Sequence, residues 1–290
     1  YTSTSNNYAT SNNTATPYVH NVRNATTTTL TSNNNPSIYG QNVTFTSTTT
    51  SAAAGTITGS VSFYNGATLL GTDNTIVGGV ADFSINSLVV GTHPITAVYS
   101  GGGIFATSTS ASLDQVVDKA TLTVTADNQT ITYGDADPIF TFTYSGFVLG
   151  ETSAVVDTPP TCDAPTPHVD AGTYPGIIVC SGGLDNNYTF NYVNGNLTVD
   201  PKALTITADN QGKAFNTLFT FAGTEFTPSG LILGDTIASV TLTSLGTPVL
   251  APVGTYPIVP SAAVAGPGTN LGNYTIAYVN GTMTVTTNTI

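Results

Sequence analysis

Cys162 and Cys180 are the residues of this 290-residue chain best spaced for chemistry. An even cysteine count in a Thr- and Asn-rich chain that reads as secreted favours a disulfide over two free thiols. Closing the intervening loop would add about 3 kcal/mol of stability in the chain-entropy model. Zinc is excluded, because this pair plus nearby His168 does not make a four-ligand set. Carboxylates offer a second chemistry. Asp127, Asp135 and Asp137 would have to reach the six or so oxygens that calcium takes, as would Asp114, Asp118 and Asp200 near the module junctions. Solvated loop carboxylates are the expected reading. His20, His93 and His168 are scattered, and no Gly-x-Ser-x-Gly, paired-His or phosphate-loop motif is present. No catalytic residue, metal site or cofactor is expected, and the chain reads as a protein that is not an enzyme.

The elements that would hold these residues repeat. Gly91-Thr92-His93-Pro94, Gly172-Thr173-Tyr174-Pro175 and Gly254-Thr255-Tyr256-Pro257 recur at nearly equal steps, each the length of a small β-domain. Between residues 27 and 117, short alternating runs such as Val61-Ser62-Phe63-Tyr64 and Val80-Ala81-Asp82-Phe83 predict strands with one buried face. Asn65-Gly66 predicts a tight hairpin with those two residues at its centre. Beyond residue 117 two segments match each other closely. Ala120–Gln129 returns as Ala203–Gln211, Ser145–Thr152 as Ser229–Thr236, and Asn187–Val199 as residues 273–285. Of the three candidate calcium carboxylates, only Asp127 has a counterpart, Asp209, in the second copy. Gly150-Glu151-Thr152 and Gly234-Asp235-Thr236 would each begin a helix of one or two turns.

This divides the chain into an N-terminal extension (residues 1–26), a first β-domain (27–117), a module that carries the cysteines (118–200) and a second copy (201–290). The junctions are short and Pro201 stiffens the second, so the expected fold is all-β: three tandem sandwich modules in an elongated array behind an extended N-terminal tail. In each Gly-Thr-Tyr/His-Pro phrase the aromatic residue suggests a tyrosine corner, whose hydroxyl bonds back to nearby backbone. His93 stands where the copies have Tyr174 and Tyr256, so a structural role is expected for it.

Composition limits the partners. Only 7% of residues are charged, against roughly 25% in ordinary domains, and the net charge is −12. The four basic residues, Arg23, Lys119, Lys202 and Lys213, are too few and too dispersed to replace counterions on nucleic acid or to hold an anionic membrane. There is no 18-residue apolar run, so no membrane insertion is expected. A chain that begins at Tyr1 has either lost a signal peptide or been trimmed. Eight Asn-x-Ser/Thr sequons are present, close to what this composition yields by chance.

Residues 27–117, through Ser37-Ile38-Tyr39-Gly40-Gln41 and Val61-Ser62-Phe63-Tyr64, resemble a bacterial Ig-like repeat domain. Residues 118–286 resemble two MBG modules of bacterial and archaeal surface proteins, through Tyr133-Gly134-Asp135-Ala136-Asp137-Pro138, Gly172-Thr173-Tyr174-Pro175 and Asn187-Tyr188-Thr189. The second copy departs from the pattern with Phe215-Asn216 and lacks both cysteines. The resemblance implies adhesins, stalks and surface fibres, with no catalytic residues to carry over.

The expected function is therefore a structural subunit of an extracellular filament or surface stalk, located outside the cell or on its surface. Neighbouring copies of the chain would form a homopolymer, the N-terminal extension adding a strand to the next subunit through Tyr18, Val19 and Val22. The alternative is an adhesin segment that binds a glycan or a surface protein through loops of its β-modules.

Overall fold

A computed structural model describes residues 22–165, 169–232 and 234–288. They fall into two compact units, the division lying between Ala120 and Thr121. The fold is all-β. Among the described residues the only helical pieces are two single 3-10 turns, Ser153–Val155 and Leu271–Asn273, and no helix is long and apolar enough to cross a membrane.

The first unit is a two-sheet sandwich. Thr27–Ser32, Val43–Thr50 and Val80–Ile85 form a three-stranded antiparallel sheet with Val43–Thr50 in the centre. The facing sheet runs Ser37–Ile38, Leu113–Asp118, Gly91–Tyr99, Val61–Asn65, Thr68–Asp73, with Ser108–Thr109 paired to Gly91–Tyr99. Strict alternation explains the layers: Val43 and Phe45 point inward and Thr44 and Thr46 outward, and Val61 and Phe63 do the same across the core. Phe45, Phe63, Ile95, Tyr99 and Phe105 are buried, each contributing on the order of 1.5–3 kcal/mol.

The hairpin forms one residue later than the sequence suggests. Asn65 pairs with Thr68, so the two loop residues are Gly66 and Ala67, and of these only Gly66 takes positive φ (56°). One left-handed residue at the first loop position is enough for a two-residue hairpin. Asn65 is left on the strand, where its side-chain amide meets His93 Nδ1 at 2.9 Å.

Each module of the second unit packs a three-stranded sheet on a four-stranded one, and both modules share one strand order. In the first module Phe142–Ser145, Ala120–Ala126 and Tyr188–Val193 face Gln129–Thr132, Gly195–Asp200, Gly172–Ser181 and Thr161–Asp163. In the second, Phe226–Ser229, Lys202–Ala208 and Tyr274–Val279 face Gln211–Ala214, Gly281–Thr286, Gly254–Ala265 and Ile237–Thr243. Gln129–Thr132 pairs parallel to Gly195–Asp200, and Gln211–Ala214 does the same with Gly281–Thr286. The Asn-Gly phrases at 194–195 and 280–281 carry the chain from one sheet to the other. A Cβ on Gly195 would lie 2.9 Å from the carbonyls of Ala126 and Asp127, so only glycine fits that crossing.

One helical expectation is met by a single turn and the other by none. Thr152 Oγ1 accepts from the Ala154 amide and caps Ser153–Val155. After Gly234-Asp235-Thr236 the chain enters strand Ile237–Thr243 directly.

Candidate functional site

The tyrosine corner appears in all three modules, in two chemistries. Tyr174 donates its hydroxyl to the Asp170 carbonyl at 2.8 Å, and Tyr256 donates to the Pro252 carbonyl at 2.8 Å. His93 Nε2 lies 2.8 Å from the Val89 carbonyl, again four residues back. The imidazole therefore replaces the phenol as the donor that fixes the entry to the strand, and the role of His93 is structural.

Cys162 and Cys180 face one another across the pair Thr161–Asp163 and Gly172–Ser181, with Cα atoms 4.0 Å apart, and are joined as a disulfide. Cys180 belongs to the core of its module, together with Val124, Ile178 and Leu197. Of the candidate polymer contacts, Tyr18 and Val19 lie outside the described residues. Val22 is 91% exposed. From Asn24 onward the chain is tied to its own domain, through Asn24 N–H to the Ile104 carbonyl (2.7 Å) and Ala106 N–H to the Asn24 carbonyl (2.8 Å). The candidate calcium carboxylates do not converge. Asp127 accepts from Thr141 Oγ1 at 2.7 Å, and among the described residues no three His, Cys, Asp or Glu side chains come together.

A second tyrosine device, which the sequence reading missed, locks one loop at an end of each MBG-like module. Tyr188 donates to Glu151 Oε2 at 2.5 Å and accepts from the Val148 amide at 3.0 Å. In the second copy Tyr274 donates to Asp235 Oδ2 and accepts from the Ile232 amide at 3.0 Å. Burial first, and the neighbouring carboxylate second, push both phenols up to about 12.

The second of these locks is also where the two modules join. Tyr133, in the loop after Gln129–Thr132, reaches across and donates to Asp235 Oδ2 at 3.1 Å. Its ring stands edge-on to Tyr274, with centroids 5.5 Å apart and planes at 83°. Tyr133 thereby packs against both hydrophobic cores, and burial raises the pKa of its phenol. A polar clasp lies beside it. Asn273, only 1% exposed, accepts from the Ala171 amide at 2.7 Å and donates to Asp170 Oδ1 at 2.8 Å, while Asn270 donates to the same oxygen at 3.3 Å. A buried amide with both ends paired contributes favourably, and one left unpaired would cost more than the bonds are worth.

Gly134, at φ +83°, completes the joint. A Cβ there would fall 2.1 Å from Ile232 Cδ1 and 3.0 Å from Ile232 Cγ1, so the isoleucine seats where a side chain would otherwise be. Ile131, Tyr133, Gly134, Asp135 and Asp137 line a cleft of about 450 Å³ here, with Val169, Val199 and Ile232. The arrangement holds two modules together, and among the described residues it includes no metal-ligating cluster. The signal for it was in the sequence: Tyr133-Gly134 in one copy against Phe215-Asn216 in the other.

The family model described as bacterial Ig-like domain (group 3) matches residues 30–118. The model described as MBG domain (YGX type) matches residues 122–198 and 204–284, together more than half of the chain. No curated protein matches. Among solved structures, the fibronectin(III)-like modules of Clostridium thermocellum CbhA are 13% identical with a TM-score of 0.25, over 89% of this chain and 94% of that one. The Escherichia coli adhesin FdeC is 15% identical with a TM-score of 0.26, over 90% and 96%. Immunoglobulin domains 1–5 of Sidekick-1 are 12% identical with a TM-score of 0.22, over 90% and 60%. At those scores the three solved structures carry no argument about function. Ig-like and MBG domains are typically structural or adhesion modules of extracellular or surface proteins. The chain belongs to the MBG family of the YGX type, with two such domains following a bacterial Ig-like domain of group 3.

Proposed function

We propose that this chain is a structural subunit of an extracellular filament or surface stalk, and that residues 1–26 link it to a neighbouring copy by adding a strand to that copy's sheet. The observation that carries the structural role is the joint itself. Tyr133, Asp170, Asp235 and Asn273 commit their polar groups to holding one module on the next. Side chains used in this way hold modules in sequence. Strand addition is supported by edges that can receive it: Val80–Ile85 and Thr68–Asp73 each end their sheet among the described residues. An edge strand offers a row of backbone donors and acceptors to an incoming segment.

The competing reading is an adhesin segment whose loops bind a glycan or a surface protein. One observation favours it: Leu218, Leu250 and Val253 are exposed on loops of the second MBG module. Sedimentation and electron microscopy of the purified chain separate the two. Ordered polymers support the subunit reading, whereas a monomer that retains ligand binding overturns it.

A further inference from the structure

We propose that the joint is a selective socket. The end of the first MBG module around Tyr133, Gly134 and Asp170 accepts the acid-loop end of an MBG module, and the corresponding end of the second module is closed to it. The proposal stands whichever way the chain assembles.

The two ends can be compared atom for atom. Ile131 and Lys213 occupy the same register, opposite Val199 and Val285. Asp170 and Pro252 each supply the carbonyl to a tyrosine corner. At four positions that make the joint the second copy differs. Phe215 replaces Tyr133 and has no hydroxyl for an acid-loop carboxylate. Asn216 replaces Gly134 at a similar backbone angle, φ +66°, and puts a side chain where Ile232 seats. Pro252 replaces Asp170 and offers no carboxylate to a pair of asparagines.

Lys213 completes the closure. Where Ile131 lines the cleft of the joint, the Lys213 ammonium folds back on its own module, donating to the carbonyls of Thr217 (2.8 Å) and Pro248, and is itself buried. A buried ammonium held by backbone carbonyls is costly to displace. One change would weaken the socket; four remove its hydroxyl, its carboxylate, its vacant seat and its apolar wall. The side chains exposed at this end include Leu218 and Val253 and carry no carboxylate or phenol for an acid loop with asparagines.

The Ala171 amide, bonded to Asn273 across the joint, is a local reporter, and its counterpart in the second module is the Val253 amide. The test appends a second copy of residues 201–288 to the full chain and follows hydrogen exchange. With the natural end, Val253 should exchange as it does in the unextended chain. With Lys213→Ile, Phe215→Tyr, Asn216→Gly and Pro252→Asp combined, its exchange should slow on the order of tenfold or more. Equal protection of Val253 by the appended module on the natural end would overturn the proposal. Gly134→Asn in the unextended chain serves as a second arm that needs no refolded end: Ala171 exchange should rise on the order of tenfold, and an unchanged rate would also overturn it.

Discussion

Tyr133 donates its hydroxyl to Asp235 Oδ2 at 3.1 Å, the same carboxylate oxygen that Tyr274 holds from within its own module. One acidic side chain thus closes a loop and fastens a neighbour. Loop and joint are consequently coupled, and changes at either tyrosine should be read at both.

Tyr274→Phe keeps the ring but strands the Ile232 amide and one face of Asp235, so the second MBG module should lose about 1–3 kcal/mol. Tyr133→Phe removes the phenol's bond to Asp235 at the joint and should cost about 1 kcal/mol. Urea unfolding measures both. The double variant should deviate from the sum, because the two phenols share a carboxylate.

Alkaline pH should loosen both modules. Tyr188 and Tyr274 are raised from 10.0 to about 12 in the folded chain. A phenol that ionises more readily when unfolded contributes stability that is complete below pH 10 and is lost as pH rises through 12. Ultraviolet phenolate titration should show two late tyrosines, and stability measured alongside should fall over that window. Late titration that disappears in Tyr188→Phe and Tyr274→Phe would assign them.

Reduction of the Cys162–Cys180 bond should destabilise the first MBG module by about 3 kcal/mol, the value expected for a loop of this length, and leave the second, which has no cysteine, unmoved. Scanning calorimetry with and without reductant, or with both cysteines changed to serine, checks this.

In the Ig-like domain, Gln115 is fully buried. Its Oε1 accepts from Ser32 Oγ at 2.7 Å, and its Nε2 donates to the Asn34 carbonyl at 2.8 Å and to Ser37 Oγ at 3.1 Å. It ties the last strand to the turn after the first. Gln115→Leu is close in size but leaves those groups unpaired, and should cost about 1–3 kcal/mol. His93→Tyr should be tolerated by comparison, since tyrosine reaches the same carbonyl in the other two modules. Thermal unfolding of the two variants ranks them.

The modules, the strand alternation and the corner residues were legible in the sequence because each is set by local period or by a repeated phrase. Tyr174 and His93 bond only four residues back, so their roles follow from position alone. The joint was not legible in that way. Asp170 and Asn273 are 103 residues apart, and nothing local marks either as half of a clasp. The Gly134-to-Asn216 difference was visible, but its meaning depends on Ile232 occupying that seat. The hairpin at Gly66 shifted by one residue because strand pairing held Asn65 in register against the turn preference of Asn-Gly.

The most direct test of the subunit reading removes residues 1–23, which leaves the bonds of Asn24 to Ile104 and Ala106 in place, and compares the shortened chain with the full one by electron microscopy and sedimentation. The full chain should assemble into ordered polymers, and the shortened chain should remain monomeric with its three domains folded. Polymers of unchanged form from the shortened chain would contradict assembly through the N-terminal extension.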